Sequence, residues 1–255
     1  MRERIDQRVL GALRLVDRVS QVPVRRAMKV SATNASMVRN ASGLYVITGA
    51  PALVSHSREF QQPPTTPAPG SVALSITVED PQVRYLPRLL RLDLPRDAAP
   101  ANAGNPDSLF HPLAVLMYPA STASVATNWS SIRVSLTSTG GAAVAGCLLR
   151  VVDEAEGKVL ASGLSDERGE ALVIVPGVPI TKFADDGDEG DEDDDDDTPP
   201  VMITTLPVRL EVSAGATSWP LDPDLLEQNH AANIKKSKLL TLKTGRMETV
   251  AINLT

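Results

Sequence analysis

The residues able to do chemistry are few and scattered. Three histidines, His56, His111 and His230, stand far apart, with no His-x-x-x-His pattern and no neighbouring cysteine pair, so their spacing points to no zinc site. The lone Cys147 sits among small and aliphatic neighbours, where a thiol packs as a buried, inert side chain. Serines are plentiful, but there is no Gly-x-Ser-x-Gly elbow to expose a nucleophile. No Gly-x-x-x-x-Gly-Lys-Ser/Thr loop is present to cradle a phosphate. The reading is therefore of no catalytic residue, no cofactor and no enzyme.

The loudest chemical feature is charge. Of the 31 acids in 255 residues, eleven fall between 185 and 197 with no base among them, leaving twenty acids against 25 bases elsewhere. A net charge of −6 thus hides a mildly basic body with one acidic insertion, 184–200. Like charges at this density repel, so an extended, solvated loop is expected, closed by Pro199-Pro200. Asp185, Asp186, Asp188 and Asp191 are weak calcium candidates, because the spacing lacks the distal bidentate Glu of an EF-hand. Docking on a basic surface, in the same chain or another, is the other use open to the run. The basic N-terminus could meet an acidic partner, a phosphate backbone or that loop. With no aromatic before Tyr45, a nucleic-acid platform is not expected.

These groups must be positioned by short elements. Only eight rings occur, so the core has to be Val, Leu, Ile and Ala, and twenty prolines between apolar runs suit strands and turns. Residues 1–22 are the exception. Ile5, Val9, Leu13 and Val16 mark an apolar stripe, which predicts an amphipathic N-terminal helix able to dock on a partner, on a second copy or on its own sheet. From Pro23 the period becomes two. Residues 23–96 predict a small β-module, 97–109 a linker rich in Ala, Pro, Asn and Gly, and 110–255 a second module of seven or eight strands. Antiparallel sandwiches are expected over βαβ units, since amphipathic crossovers are missing. Asp166 and Gly169 are read as turn builders, the Asp accepting from turn amides and the Gly supplying a positive φ. Trp129 and Trp219 are read as core plugs.

The run from Gly141 through Val144, Gly146 and Val152, then Gly157 to Leu160, then Gly163 to Gly169 and Leu172, resembles the carboxypeptidase regulatory-like domain. That resemblance implies a transthyretin-like β-sandwich, an accessory module without catalysis of its own. It covers about half of the chain. The whole chain also resembles accessory proteins of phage-tail-like contractile injection systems.

The expectation is thus an all-β protein of two antiparallel β-sandwich-like modules, the second transthyretin-like, behind a short helix. Its expected role is a non-enzymatic structural or adaptor subunit, with other protein subunits or its own copies as partners and neither nucleic acid nor a membrane span involved. A contractile phage-tail-like particle is the assembly favoured. The alternative is a carbohydrate- or calcium-binding accessory module serving a separate enzyme. A single cysteine and no signal-like apolar stretch suggest a cytoplasmic setting.

Overall fold

In the computed structural model, residues 8–59, 64–179, 181–182, 202–203, 205–213 and 218–254 are described. They fold mainly as β-strands, grouped into two units, each built from two stretches of the chain: Met1–Ala123 with Gly215–His230, and Ser124–Ala214 with Ala231–Thr255.

The first unit contains β1 (Gly11–Asp17), β2 (Lys29–Ala32), β3 (Ser36–Arg39), β4 (Tyr45–Gly49), the short helix α1 (Val54–Arg58), β5 (Val72–Glu79), β6 (Arg88–Leu94) and β7 (Leu113–Met117). One sheet has the order β3-β4-β1-β7 and the other β2-β5-β6. Leu13 and Leu15, Tyr45 and Ile47, Leu74 to Val78, and Leu90 to Leu94 supply the alternate side chains of one shared core.

The N-terminal segment is therefore a strand where a helix is expected. Leu13 and Val16 are buried in β1, Val9 is exposed just before it, and Ile5 lies outside the described residues. β1 is interior to its sheet, antiparallel to β4 and parallel to β7. Burial alternates from Gly11 to Leu15 with Arg14 exposed, and the adjacent buried pair Leu15 and Val16 breaks that period, so the apolar residues also fit a helical stripe. The pairing of β1 with β7 also moves the boundary between the units. Residues 97–109 belong to the first unit, where Asp97 bridges Ser108, and the chain leaves that unit only after Ala123.

The second unit contains β8 (Ser130–Ser138), β9 (Leu148–Asp153), β10 (Val159–Leu164), β11 (Glu170–Val175), the two-residue strands β12 (Thr181–Lys182) and β13 (Met202–Ile203), then β14 (Leu206–Ser213), β15 (Ile234–Leu242) and β16 (Met247–Leu254). Sheets β10-β9-β14-β15 and β11-β8-β16 face each other across Ile132, Val134, Leu149, Val151, Val173, Val208, Leu210 and Ile252. Most pairs are antiparallel; β16 runs parallel to β8. An all-β, sandwich-like architecture is what the sequence predicts.

Between β14 and β15 the chain returns to the first unit with α2 (Pro223–Gln228). Asp222 caps this helix, its carboxylate accepting from the Asp224 amide at 3.0 Å, and Pro223 occupies the first turn, where a missing N–H costs nothing. A four-residue helix, α3 (His230–Asn233), precedes β15.

Candidate functional site

The expected chemical residues do not converge. His56 is buried in α1, His230 is buried at the start of α3, and His111 is exposed in a loop. Cys147 is fully buried in the core of the second unit. Among the described residues, no three His, Cys, Asp or Glu side chains gather around one point. The calcium candidates Asp185, Asp186, Asp188 and Asp191 lie outside the described residues, as does the whole acidic insertion 184–200. Trp129 and Trp219 are both half-buried.

Asp166 spends its carboxylate on a turn. Its Oδ1 accepts from the amides of Arg168 and Glu170 at 2.9 and 3.0 Å, and Oδ2 meets the Arg168 guanidinium at 3.1 Å. Gly169 has φ +73°, and a Cβ there would overlap the Leu136 carbonyl oxygen. The Gly169 carbonyl in turn accepts from the Leu136 amide at 2.8 Å, so the turn fixes where β11 starts beside β8.

Perturbed titrating groups also belong to structural networks. Burial, followed by a 2.7 Å hydrogen bond to Asp17, pushes the Tyr85 phenol well above its ordinary value. Arg26 lies over the Tyr85 ring, 5.0 Å from its centroid, and pairs with Asp80. Asp80 also accepts from the amides of Gln82, Arg84 and Tyr85. The β5–β6 connection is thus held by an acid and an aromatic hydroxyl. Hydrogen bonds from the Ala99 amide and the Asn102 side chain hold the Asp97 carboxyl below its usual range.

What the fold does expose is a strand edge. β15 ends its sheet, with β14 as its single strand neighbour. All six residues from Ile234 to Leu239 are exposed, so both faces of that stretch are open. Its register sets Lys236 opposite Val212, Lys238 opposite Leu210 and Leu240 opposite Val208. Val212, Leu210 and Val208 point into the core, so Lys236 and Lys238 sit on the core-facing side of the sheet where the opposite sheet does not cover them. Ser213 pairs with Ile234 and Val212 with Lys236, which leaves Lys235 as the extra residue of a bulge. Among the described residues, Lys235, Lys236 and Lys238 have no acidic partner. Leu239, 66% exposed, adds an apolar contact on the opposite face. Sequence reasoning began this strand at Leu239, because the preceding Ile-Lys-Lys-Ser-Lys offers no alternation to find.

An exposed edge of this kind can add a strand through main-chain hydrogen bonds, with side chains on either face selecting the partner. Lysines on an edge also guard against indiscriminate pairing. Here they bias the edge toward strands carrying acids at alternate positions. No helix among the described residues is long and apolar enough to cross a membrane.

No family model matches the chain, and no curated protein matches its sequence. Solved structures with some likeness include the minor pilin GBS52 of Streptococcus agalactiae, at 7% identity and a TM-score of 0.28, covering 96% of this chain and 95% of that one. The major pilin subunit BcpA of Bacillus cereus aligns at 7% identity with a TM-score of 0.27, over 98% of this chain and 69% of that one. The Bacillus anthracis TIE protein aligns at 8% identity and a TM-score of 0.27; 97% of this chain is covered, but only 34% of that protein.

Proposed function

We propose that the protein is a non-enzymatic structural or adaptor subunit of a multi-protein assembly, held to its neighbours through strand edges and loops. The observation that carries this reading is β15, a nine-residue strand at a sheet edge with six consecutive exposed residues. Unpaired main-chain donors and acceptors along such an edge are ready to extend the sheet into another chain. The resemblance of residues 141–172 to a carboxypeptidase regulatory-like domain supports the same reading, since that module serves as an accessory. A phage-tail-like contractile particle, assembled in the cytoplasm, is the assembly we favour. A carbohydrate- or calcium-binding accessory role has no observation among the described residues in its favour.

The test is size-exclusion chromatography with light scattering on the protein purified from its native source under mild salt. A complex of defined stoichiometry is expected. The substitutions Lys235→Glu, Lys236→Glu and Lys238→Glu together are expected to release a partner from it. A strictly monomeric protein, or a complex indifferent to all three substitutions, would overturn the role assigned to β15.

A further inference from the structure

In the first unit, three arginines line one cleft of about 430 Å³: Arg14, Arg25 and Arg39. Arg14 is the exposed member of β1, flanked by buried Leu13 and Leu15. Arg25 follows Val24, whose amide donates to the Leu15 carbonyl at 2.9 Å and lays this segment beside β1. Arg39 ends β3, cross-strand from Tyr45, and its guanidinium donates to the Arg25 carbonyl. The turn joining β3 to β4 forms the remaining wall. There Asn40 Oδ1 accepts from the Leu44 amide at 2.9 Å, and Gly43 takes φ +83°. A Cβ at Gly43 would sit 3.4 Å from Arg39 Nη2, so glycine leaves the guanidinium room.

No acid lines the cleft. Six other arginines, Arg18, Arg26, Arg88, Arg91, Arg168 and Arg209, each meet a carboxylate. Among the described residues, Arg14, Arg25 and Arg39 have no such partner. Three like charges in one cleft repel each other and raise its affinity for an anion. The guanidinium fork binds carboxylates through two parallel hydrogen bonds, which a compact ammonium cannot do. The lining has no aromatic ring on which a base could stack.

The chain itself carries the complementary charge, eleven acids between residues 185 and 197. We infer that the Arg14–Arg25–Arg39 cleft is a docking site for the acidic run of a second copy of this chain. This inference rests on the reading of the protein as an assembly subunit. Each copy carries one cleft and one acidic run, so the contact is heterologous: it passes from copy to copy and either closes a ring or continues as a filament. Salt weakens it, because the arginines are reached by solvent.

The experiment uses full-length protein in two complementary forms. The first carries Arg14→Gln, Arg25→Gln and Arg39→Gln; the second has every acid from 185 to 197 changed to its amide. Sedimentation of the wild type at about 50 mM and about 500 mM salt is expected to show association that grows with concentration and fades with salt. Each variant alone is expected to bind itself at least about tenfold more weakly than the wild type. Mixed together, the two are expected to form a one-to-one pair, since the first supplies acids and the second arginines. A wild type monomeric at every concentration would overturn the inference, including the case where the acidic run meets the cleft of its own chain. It would equally be overturned by unchanged association of the arginine variant, by failure of the mixture to pair, or by binding of inorganic pyrophosphate alone without self-association. The β15 lysine variant is expected to keep this self-association, so failure at the cleft and failure at the edge can be told apart.

Discussion

Arg88 Nη2 lies 2.6 Å from Asp224 Oδ2, joining strand β6 to a helix 136 residues further along the chain. The guanidinium is 1% exposed. It also donates to the Leu116 carbonyl at 2.6 Å and meets Asp222 Oδ1 at 3.3 Å. The Leu89 amide donates to the Leu221 carbonyl at 2.8 Å, and Glu227 accepts from the Tyr118 hydroxyl at 3.1 Å. Residues 218–230, which leave the second unit between β14 and β15, are thus anchored in the first unit around one buried cation.

A buried charge is tolerated only while its partners remain, so removing them should be costly. Asp222→Asn with Asp224→Asn is expected to destabilise the first unit by roughly 3 kcal/mol and to expose the amides of α2. Arg88→Met, which removes the cation and keeps its bulk, should cost less, since Asp224 is half in water. Urea titration combined with hydrogen exchange over 218–230 measures both. Equal losses in the two variants would contradict the account.

Alkaline pH should act through Tyr85. Its phenol is raised above the ordinary 10.0, so the folded state holds a proton that the unfolded chain releases. Stability is then complete below about pH 10 and falls as pH rises beyond it. In Tyr85→Phe the ring stays and the proton is gone. Thermal melts from pH 8 to 11 are expected to lose that alkaline slope, although the variant is less stable at neutral pH for want of the bond to Asp17.

The turn before β11 separates two costs. Asp166→Ala strands two amides and is expected to destabilise the second unit by about 1–2 kcal/mol. Gly169→Ala forces a side chain into positive φ and against the Leu136 carbonyl, so a larger loss, above about 2 kcal/mol, is expected. Chemical denaturation ranks the two; a harmless Gly169→Ala would remove the steric argument.

The lysines of β15 should restrain pairing as well as direct it. Lys236→Val and Lys238→Val leave the strand its hydrogen bonds and make its core-facing side apolar. The double variant is expected to form larger, salt-insensitive particles in light scattering. Unchanged particle size would show that the edge is guarded by something other than charge.

Much of this was legible in the residues. Alternation in Val72–Val78, Leu89–Leu94 and Ile132–Leu136 gives strands half-buried on one core, because side chains of an extended chain point to opposite faces in turn. The spacing of Asp166 and Gly169 specified a turn from local chemistry alone, and the sequence separated one dense acidic run from a basic body. Pairing over distance was not legible. That β1 is an interior strand and not a helix follows from its two neighbours, β4 and β7, one of which lies about a hundred residues away. Nor could sequence show that Arg88 is buried against Asp224, that Lys236 faces the core side of its sheet, or that Arg14, Arg25 and Arg39 line one cleft. Each depends on register and chain reversal, which collect residues by the core they share and not by their order along the chain.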